Sequence, residues 1–230
     1  MLAVIFDIDG TILDTEHINE ETLRIALRNM HPEIILDREM YKKTIGRNGR
    51  ARQKMLIDKW PQITPEEYEQ IREKRRARFL EIAKDGIPLK PGVLEIFEFL
   101  NKNNIPFGFY TSALRITTIE NLQNVNHNGE KISLLPYINS NYITAGDEVT
   151  KGKPDPEGYI STAKKMGITD MQQVVGFEDS KIGVEALLNA EITPVWIPDM
   201  IKPTGKVTAK LYDTLLDAIP YMEKMVERFK

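Results

Sequence analysis

The sequence predicts an α/β protein: a parallel sheet with helices on both faces and a helical insert placed after the first strand. Three observations carry this. Short, continuous apolar runs recur along the chain, and helical patterns lie between them. The stretch 15–88 breaks that rhythm, holding helical patterns but no convincing strand. A strand buried on both faces reads as an unbroken apolar run rather than as alternation. Strands alternating with helices argue for parallel crossovers.

The first apolar run is 2–8, and similar runs recur at 106–110, 142–144, 173–177 and 193–197. Inside the insert, helical patterns cover 17–30, 50–59 and 66–84. The last opens at Thr64-Pro65-Glu66-Glu67, where a proline in the first turn is followed by acids. Gly86, Pro88, Pro91 and Gly92 punctuate its far end. The segments 12–18 and 84–92 are therefore the expected hinges. Val93, Ile96, Phe97 and Leu100 repeat at helical spacing, as do Val184, Leu187 and Leu188 after Asp179. The segment 199–230 reads as a loop and a final helix with Leu215, Ile219, Met222 and Val226 on one face.

With 230 residues, the chain fits one large domain or a core with a smaller insert. Its 41% hydrophobic and 28% charged residues allow a real core and argue against disorder. A net charge of −3 gives no global pull toward nucleic acid or an anionic membrane. The absence of cysteine excludes disulfides, thiolate catalysis and cysteine-ligated metal sites. His17, His31 and His127 do not pair at metal-ligand spacing, which argues against a zinc hydrolase. The first apolar run is too short for a signal segment, and no stretch reaches membrane-spanning length. A cytoplasmic monomer is the default expectation.

Ligands of parallel sheets bind at the carboxyl ends of the strands. The residues just after the runs are Asp7-Ile8-Asp9-Gly10-Thr11, Thr111-Ser112, Lys151-Gly152-Lys153-Pro154 and Glu178-Asp179-Ser180. Four carboxylates, a hydroxyl pair and lysines are thus expected on one edge. In this order, FDIDGT, YTS, KGKPDP and GFEDS resemble the four motifs of the haloacid dehalogenase superfamily, spanning 4–180. The resemblance implies a Rossmann-like core over 1–14 and 89–230 with a helical cap over 15–88. That arrangement is similar to the subgroup of phosphoglycolate phosphatases and β-phosphoglucomutases.

The chemistry then follows. An aspartate is ionised at neutral pH, so Asp7 can attack phosphorus without a base and form an aspartyl-phosphate. The resemblance assigns the acid–base role to Asp9. Gly10 allows a tight turn near the phosphate. Thr11 and Thr111 can donate hydrogen bonds to phosphoryl oxygens, and Lys153 balances charge on the transferring group. Crowded carboxylates would repel a phosphate unless a divalent cation lay between them. The implied cation is Mg2+, held by Asp7, the Asp9 carbonyl and Asp179, with Glu178 close or bound through water.

Other readings stand beside these. Asp7 and Asp9 could form a turn and helix cap, and Glu178 and Asp179 could cap the next helix. Ser112 divides evenly between a phosphate contact and a turn. Asp147 could pair with Lys153 or sit in a loop. Lys151, Trp60 and Trp196 read as solvated or packing residues. Of the basic clusters RNGRAR at 47–52 and KRRAR at 74–78, the second reads as a solvated helix face. In the first, Arg47 or Arg50 could hold the non-transferring anion of the substrate.

The leading functional expectation is a phosphatase acting on a small phosphorylated metabolite, with no nucleic-acid or membrane partner. The alternative is a β-phosphoglucomutase-like mutase. Asn19 stands where such mutases carry a cap histidine, and Ala113-Leu114-Arg115 replace their polar run. Dehalogenation and a non-catalytic binding role fit less well, because Asp7, Asp9 and the acidic pair are all present.

Overall fold

The structure is a computed structural model and describes residues 1–204 and 208–229. The first half of the chain runs through β1 (Ala3–Phe6), α1 (Glu16–Met30), α2 (Arg38–Lys42), α3 (Gly49–Lys59), α4 (Pro65–Ile82), β2 (Ile87–Pro88) and α5 (Val93–Lys102). The second half begins with β3 (Phe107–Tyr110), α6 (Arg115–Gln123), β4 (Val125–His127), β5 (Glu130–Ile132) and β6 (Ile143–Thr144). It continues with α7 (Glu157–Lys165), β7 (Val174–Glu178), α8 (Lys181–Asn189), β8 (Thr193–Trp196), β9 (Lys210–Leu211) and α9 (Leu215–Arg228).

Six strands form a parallel sheet in the order β6-β3-β1-β7-β8-β9. Its central strand shows why the apolar run is unbroken. Val4 and Phe6 point to one apolar cluster, where α5 and α9 pack, and Ala3 and Ile5 point to the other, under α7 and α8. Phe6 stacks on Phe177 of the adjacent strand at 5.0 Å between ring centroids. Both faces of the sheet are dry, so the polar residues must gather at its ends.

Helices α1 to α4 pack around their own apolar cluster, which includes Leu23, Leu27, Tyr41, Leu56, Tyr68 and Ile71. The acids after Pro65 act as expected. Thr64 accepts from the Glu67 amide and the Glu67 carboxylate accepts from the Thr64 amide, closing a capping box. Ile18, Phe79 and Ala83 instead join the main core, so both ends of the helical segment are rooted in the sheet domain.

Some elements differ from the sequence expectation. Ile87–Pro88 forms a short strand paired with β4, inside the stretch read as strandless. Two residues carry no readable periodicity. Helices α6 and α7 and the β4–β5 hairpin were also unforeseen; α6 buries only Thr118, Asn121 and Leu122, too weak an apolar stripe to read. Leu188 lies on the outer face of α8. After β8 the expected loop is not idle, since Met200 and Ile201 pack on the helical cluster and Lys210–Leu211 adds an edge strand. Residues 205–207 of that loop lie outside the described residues.

Candidate active site

β1 ends at Phe6, and its next residues turn over the carboxyl edge of the sheet. The tightest point is Gly10, whose φ of +89° lies in the left-handed region. A Cβ there would sit 2.5 Å from Asp179 Oδ2. Both the backbone conformation and the space therefore require glycine. This packing brings the Asp7 loop and the loop after β7 into contact.

Asp7, Lys153, Glu178 and Asp179 are all buried. The Lys153 ammonium donates to Asp7 Oδ1 and Glu178 Oε1. It also lies 5.0 Å from the Tyr110 ring centroid and 5.4 Å from that of Tyr159. Tyr159 donates to Glu178 Oε1 at 2.6 Å, and the Ser180 amide and hydroxyl donate to Glu178 Oε2. Glu178 is thus fully engaged. Asp7 Oδ2, by contrast, is buried with no hydrogen-bond partner, and so is the Thr11 hydroxyl.

Burial pushes the Asp7 carboxyl well above its usual range; Lys153 opposes that, and Glu178 and Asp9 add to it. Asp179 is raised by burial and then by Glu178 and Asp7. Burial alone would lower Lys153, but Asp7 and Glu178 outweigh it and keep the ammonium charged. One carboxylate oxygen from each of Asp7, Glu178 and Asp179 lies within 4.8 Å of the others. Ionised together, three carboxylates facing one ammonium would carry an excess of negative charge. An unpartnered Asp7 oxygen within that excess fits a hard divalent cation with oxygen ligands.

The Asp9 carboxylate stands apart from this cluster. Its Oδ1 accepts from Thr15 at 2.9 Å and its Oδ2 from Thr111 at 3.1 Å. Thr111 is therefore committed to Asp9 rather than standing free. Neither Asp7 nor Asp9 caps a helix; Thr15 occupies that position at α1 and Ser180 does so at α8. Ser112 donates to the Gly46 carbonyl at 2.8 Å, joining the sheet edge to the loop between α2 and α3. Asp147 accepts from the Arg115 amide, so the pairing with Lys153 does not form. Lys151 is exposed. Trp196 packs as expected but also donates to the Asp179 carbonyl at 2.7 Å, fixing the acidic loop.

A cavity of about 430 Å³ opens between this edge and the helical segment. Arg47 lies on its wall, although its Nε is bonded to the Lys43 carbonyl. Arg50 does not line it. Helix α3 starts at Gly49, so Arg50 projects to solvent, while Arg52, about 200° further round, faces the cavity. The cluster at 74–78 is only partly solvated, because Arg75 and Arg76 line the cavity with Arg72 and Phe79. That spacing places them on one helix face, a signal the charge run concealed.

Glu16 was also missed. It is buried on the cavity wall and accepts from the Tyr41 hydroxyl at 2.7 Å. Burial raises its pKa from 4.5 to about 6 against the opposing effect of Tyr41. A carboxyl raised on folding lowers stability as pH climbs from its unfolded to its folded pKa, and the penalty is constant above that. Here it amounts to about 2 kcal/mol. Glu16→Gln should therefore exceed the wild type in urea stability by up to about 2 kcal/mol at pH 8, with the difference closing below pH 4.5. A difference independent of pH would contradict this.

A parallel sheet covered on both faces, with buried acids at its carboxyl edge, defines an α/β protein with a ligand and metal site at that edge. Residues 4–197 match the family model for haloacid dehalogenase-like hydrolases, and the chain belongs to that family. It is 29% identical over 198 residues to a phosphorylated carbohydrates phosphatase of Thermotoga maritima, covering 85% of this chain and 84% of the relative. It is 30% identical over 206 residues to (DL)-glycerol-3-phosphatase 2 of Arabidopsis thaliana, covering 85% and 79%. A solved hydrolase structure from Pseudomonas syringae is similar with a TM-score of 0.81 at 26% identity, covering 97% of this chain and 99% of that one.

Proposed function

We propose that the chain is a Mg2+-dependent phosphatase of a small phosphorylated metabolite of the carbohydrate type, working through an aspartyl-phosphate. The observation that carries this is Asp7 itself. Lys153 holds one of its oxygens, while the other is buried and unpartnered beside the cavity. The Thermotoga and Arabidopsis relatives, named for phosphorylated carbohydrates and glycerol 3-phosphate, support the substrate class.

In the first step an Asp7 oxygen bonds to phosphorus and the ester P–O bond breaks. Asp9 gives its proton to the departing alkoxide, so an alcohol leaves. In the second step Asp9 takes a proton from water, whose oxygen bonds to phosphorus as the Asp7–phosphorus bond breaks. Thr15 and Thr111 hold Asp9 for both transfers. Gly10 brings backbone close to the phosphoryl group, and its oxygens are contacted by Thr11 and by the Ser112 amide, the Ser112 hydroxyl being held by the Gly46 carbonyl. Lys153 offsets its charge.

Asp7, the Asp9 carbonyl and Asp179 would hold Mg2+, with Glu178 behind them fixing Lys153. The cation supplies charge neutralisation between carboxylates and phosphate. Residues 15–88 act as a cap over this edge, with Arg47 on the inner wall, moving about 12–18 and 84–92 to exclude water.

Hydrolysis ranks above the mutase reading. Asn19, at the position of the mutase histidine, accepts from Arg75. Arg115 is turned onto the Ile143 and Ser140 carbonyls and Glu148. Conversion of β-glucose 1-phosphate to glucose 6-phosphate, primed by a bisphosphate, would reverse the ranking. The direct test is a phosphate-release panel of small phosphate esters, including p-nitrophenyl phosphate, on chelated and Mg2+-loaded protein. Release that rises at least about a hundred-fold with Mg2+ is expected. No release from any ester would refute the phosphatase reading.

A further inference from the structure

The cavity wall opposite Asp7 carries more positive charge than its neighbours neutralise. Arg72 pairs with Glu69, and Arg76 pairs with Glu120. Arg52 and Arg75 differ from these. Arg75 donates to the Asn19 side-chain oxygen at 2.6 Å, and Arg52 donates to the Arg47 carbonyl at 3.3 Å. Among the described residues, neither forms an ion pair with a carboxylate, and Arg52 Nε is buried with no partner.

The two guanidiniums also feel each other. Burial and then the charge of Arg52 hold Arg75 below its usual proton affinity. Glu16 is the buried carboxyl close to both, and the exposed Glu73 also lines the cavity without pairing with either, so the five lining arginines still outnumber the acids Glu16, Glu69, Glu73 and Glu120. Both side chains are half-buried on the cavity wall, and like charges brought together there, bonded only to neutral oxygens, favour an anion that joins them. Asn19 aims one of them, and a guanidinium suits the planar forks of carboxylate and phosphate.

We infer that Arg52 and Arg75 form a receptor for a second anionic group on the substrate, so the preferred substrate is a phosphate ester with a carboxylate or second phosphate at its far end. This rests on the phosphatase reading for the reacting end, and it replaces Arg47 and Arg50 as the principal contacts at the other. Arg52 and Arg75 are specificity residues: they touch the end of the substrate that does not react.

The test uses three- and five-carbon polyol phosphates ending in CH2OH, carboxylate or a second phosphate. Wild-type protein with Mg2+ should favour an anionic end by about a hundred-fold in kcat/KM at one chain length. The two anionic arms show which group is preferred. Arg52→Gln and Arg75→Gln should remove that preference mainly through KM, leaving the neutral-ended ester within about three-fold. Arg75→Lys should restore part of it, and the exposed Arg50→Gln should change nothing. Equal losses on all three esters, or no wild-type preference, would overturn the receptor while leaving the phosphatase reading intact.

If no ester is turned over, the phosphatase reading fails first. Calorimetric binding of ribitol 1,5-bisphosphate to Asp7→Asn protein then decides. Binding lost in the added Arg75→Gln background upholds the receptor, and unchanged binding overturns it. Thermal unfolding of each variant separates a misfolded protein from a weakened site.

Discussion

Asp7→Asn is expected to lower phosphate release at least about a thousand-fold while leaving the fold intact. Asparagine has the size of aspartate and keeps an oxygen that can accept from Lys153, but a neutral amide does not attack phosphorus. The stability of the variant has a definite sign. Burial raises the Asp7 carboxyl, so its ionised form opposes folding above the ordinary aspartate range. Without a divalent cation at pH 7, the variant should unfold at the same temperature as wild type or higher. Added Mg2+ should raise the unfolding temperature of wild type more than that of the variant. Turnover above a few per cent of wild type would mean that Asp7 is not the nucleophile.

The parts of this site that were legible in the sequence share one physical property: they sit just past strands buried on both faces. The strand in the run 2–8 ends at Phe6, and Asp7 stands at the first place beyond it where a charge can be tolerated. The same logic found Thr111 and the Glu178–Asp179 pair. Lys153 was placed on the same edge after the run 142–144, and the KGKPDP motif set it apart from Lys151. The cap side was less legible because helical periodicity sorts residues by face, and charge clusters blur that sorting. Arg47 and Arg50 drew notice by following Gly46, yet the start of α3 at Gly49 turns Arg50 away and Arg52 inward. Glu16 lay in plain view in the DTEH segment. Only burial against Tyr41, 25 residues away, separates it from an ordinary first-turn acid.

Glu178 refines the expected division of labour. Its two oxygens accept from Lys153, Tyr159 and Ser180, while one of them also lies within 4.8 Å of the Asp7 and Asp179 oxygens. Gly183 packs so closely that a Cβ there would lie 1.9 Å from the Glu178 carboxyl group. This carboxylate is held by the first turn of α8 and in turn holds Lys153. In the proposed mechanism its effect on the phosphoryl group would pass through that lysine.

Lys153→Met should therefore damage folding and catalysis together, by separable routes. Methionine fills similar volume but leaves Asp7 and Glu178 facing each other, buried, without the cation between them. Removing one partner of a buried ion pair costs about 3–5 kcal/mol. Urea unfolding at pH 7 without divalent cations should show a loss of that order. Catalysis should fall at least about a hundred-fold, because nothing then offsets charge on the transferring phosphoryl group. Adding Glu178→Gln to the methionine variant removes one of the two stranded charges. It should restore part of the stability and none of the turnover. A double variant that recovered activity along with stability would show that Lys153 only supports the fold. A single variant as stable as wild type would show instead that the two carboxyl groups are already neutral in the folded protein. The ammonium would then not be what keeps Asp7 ready to attack.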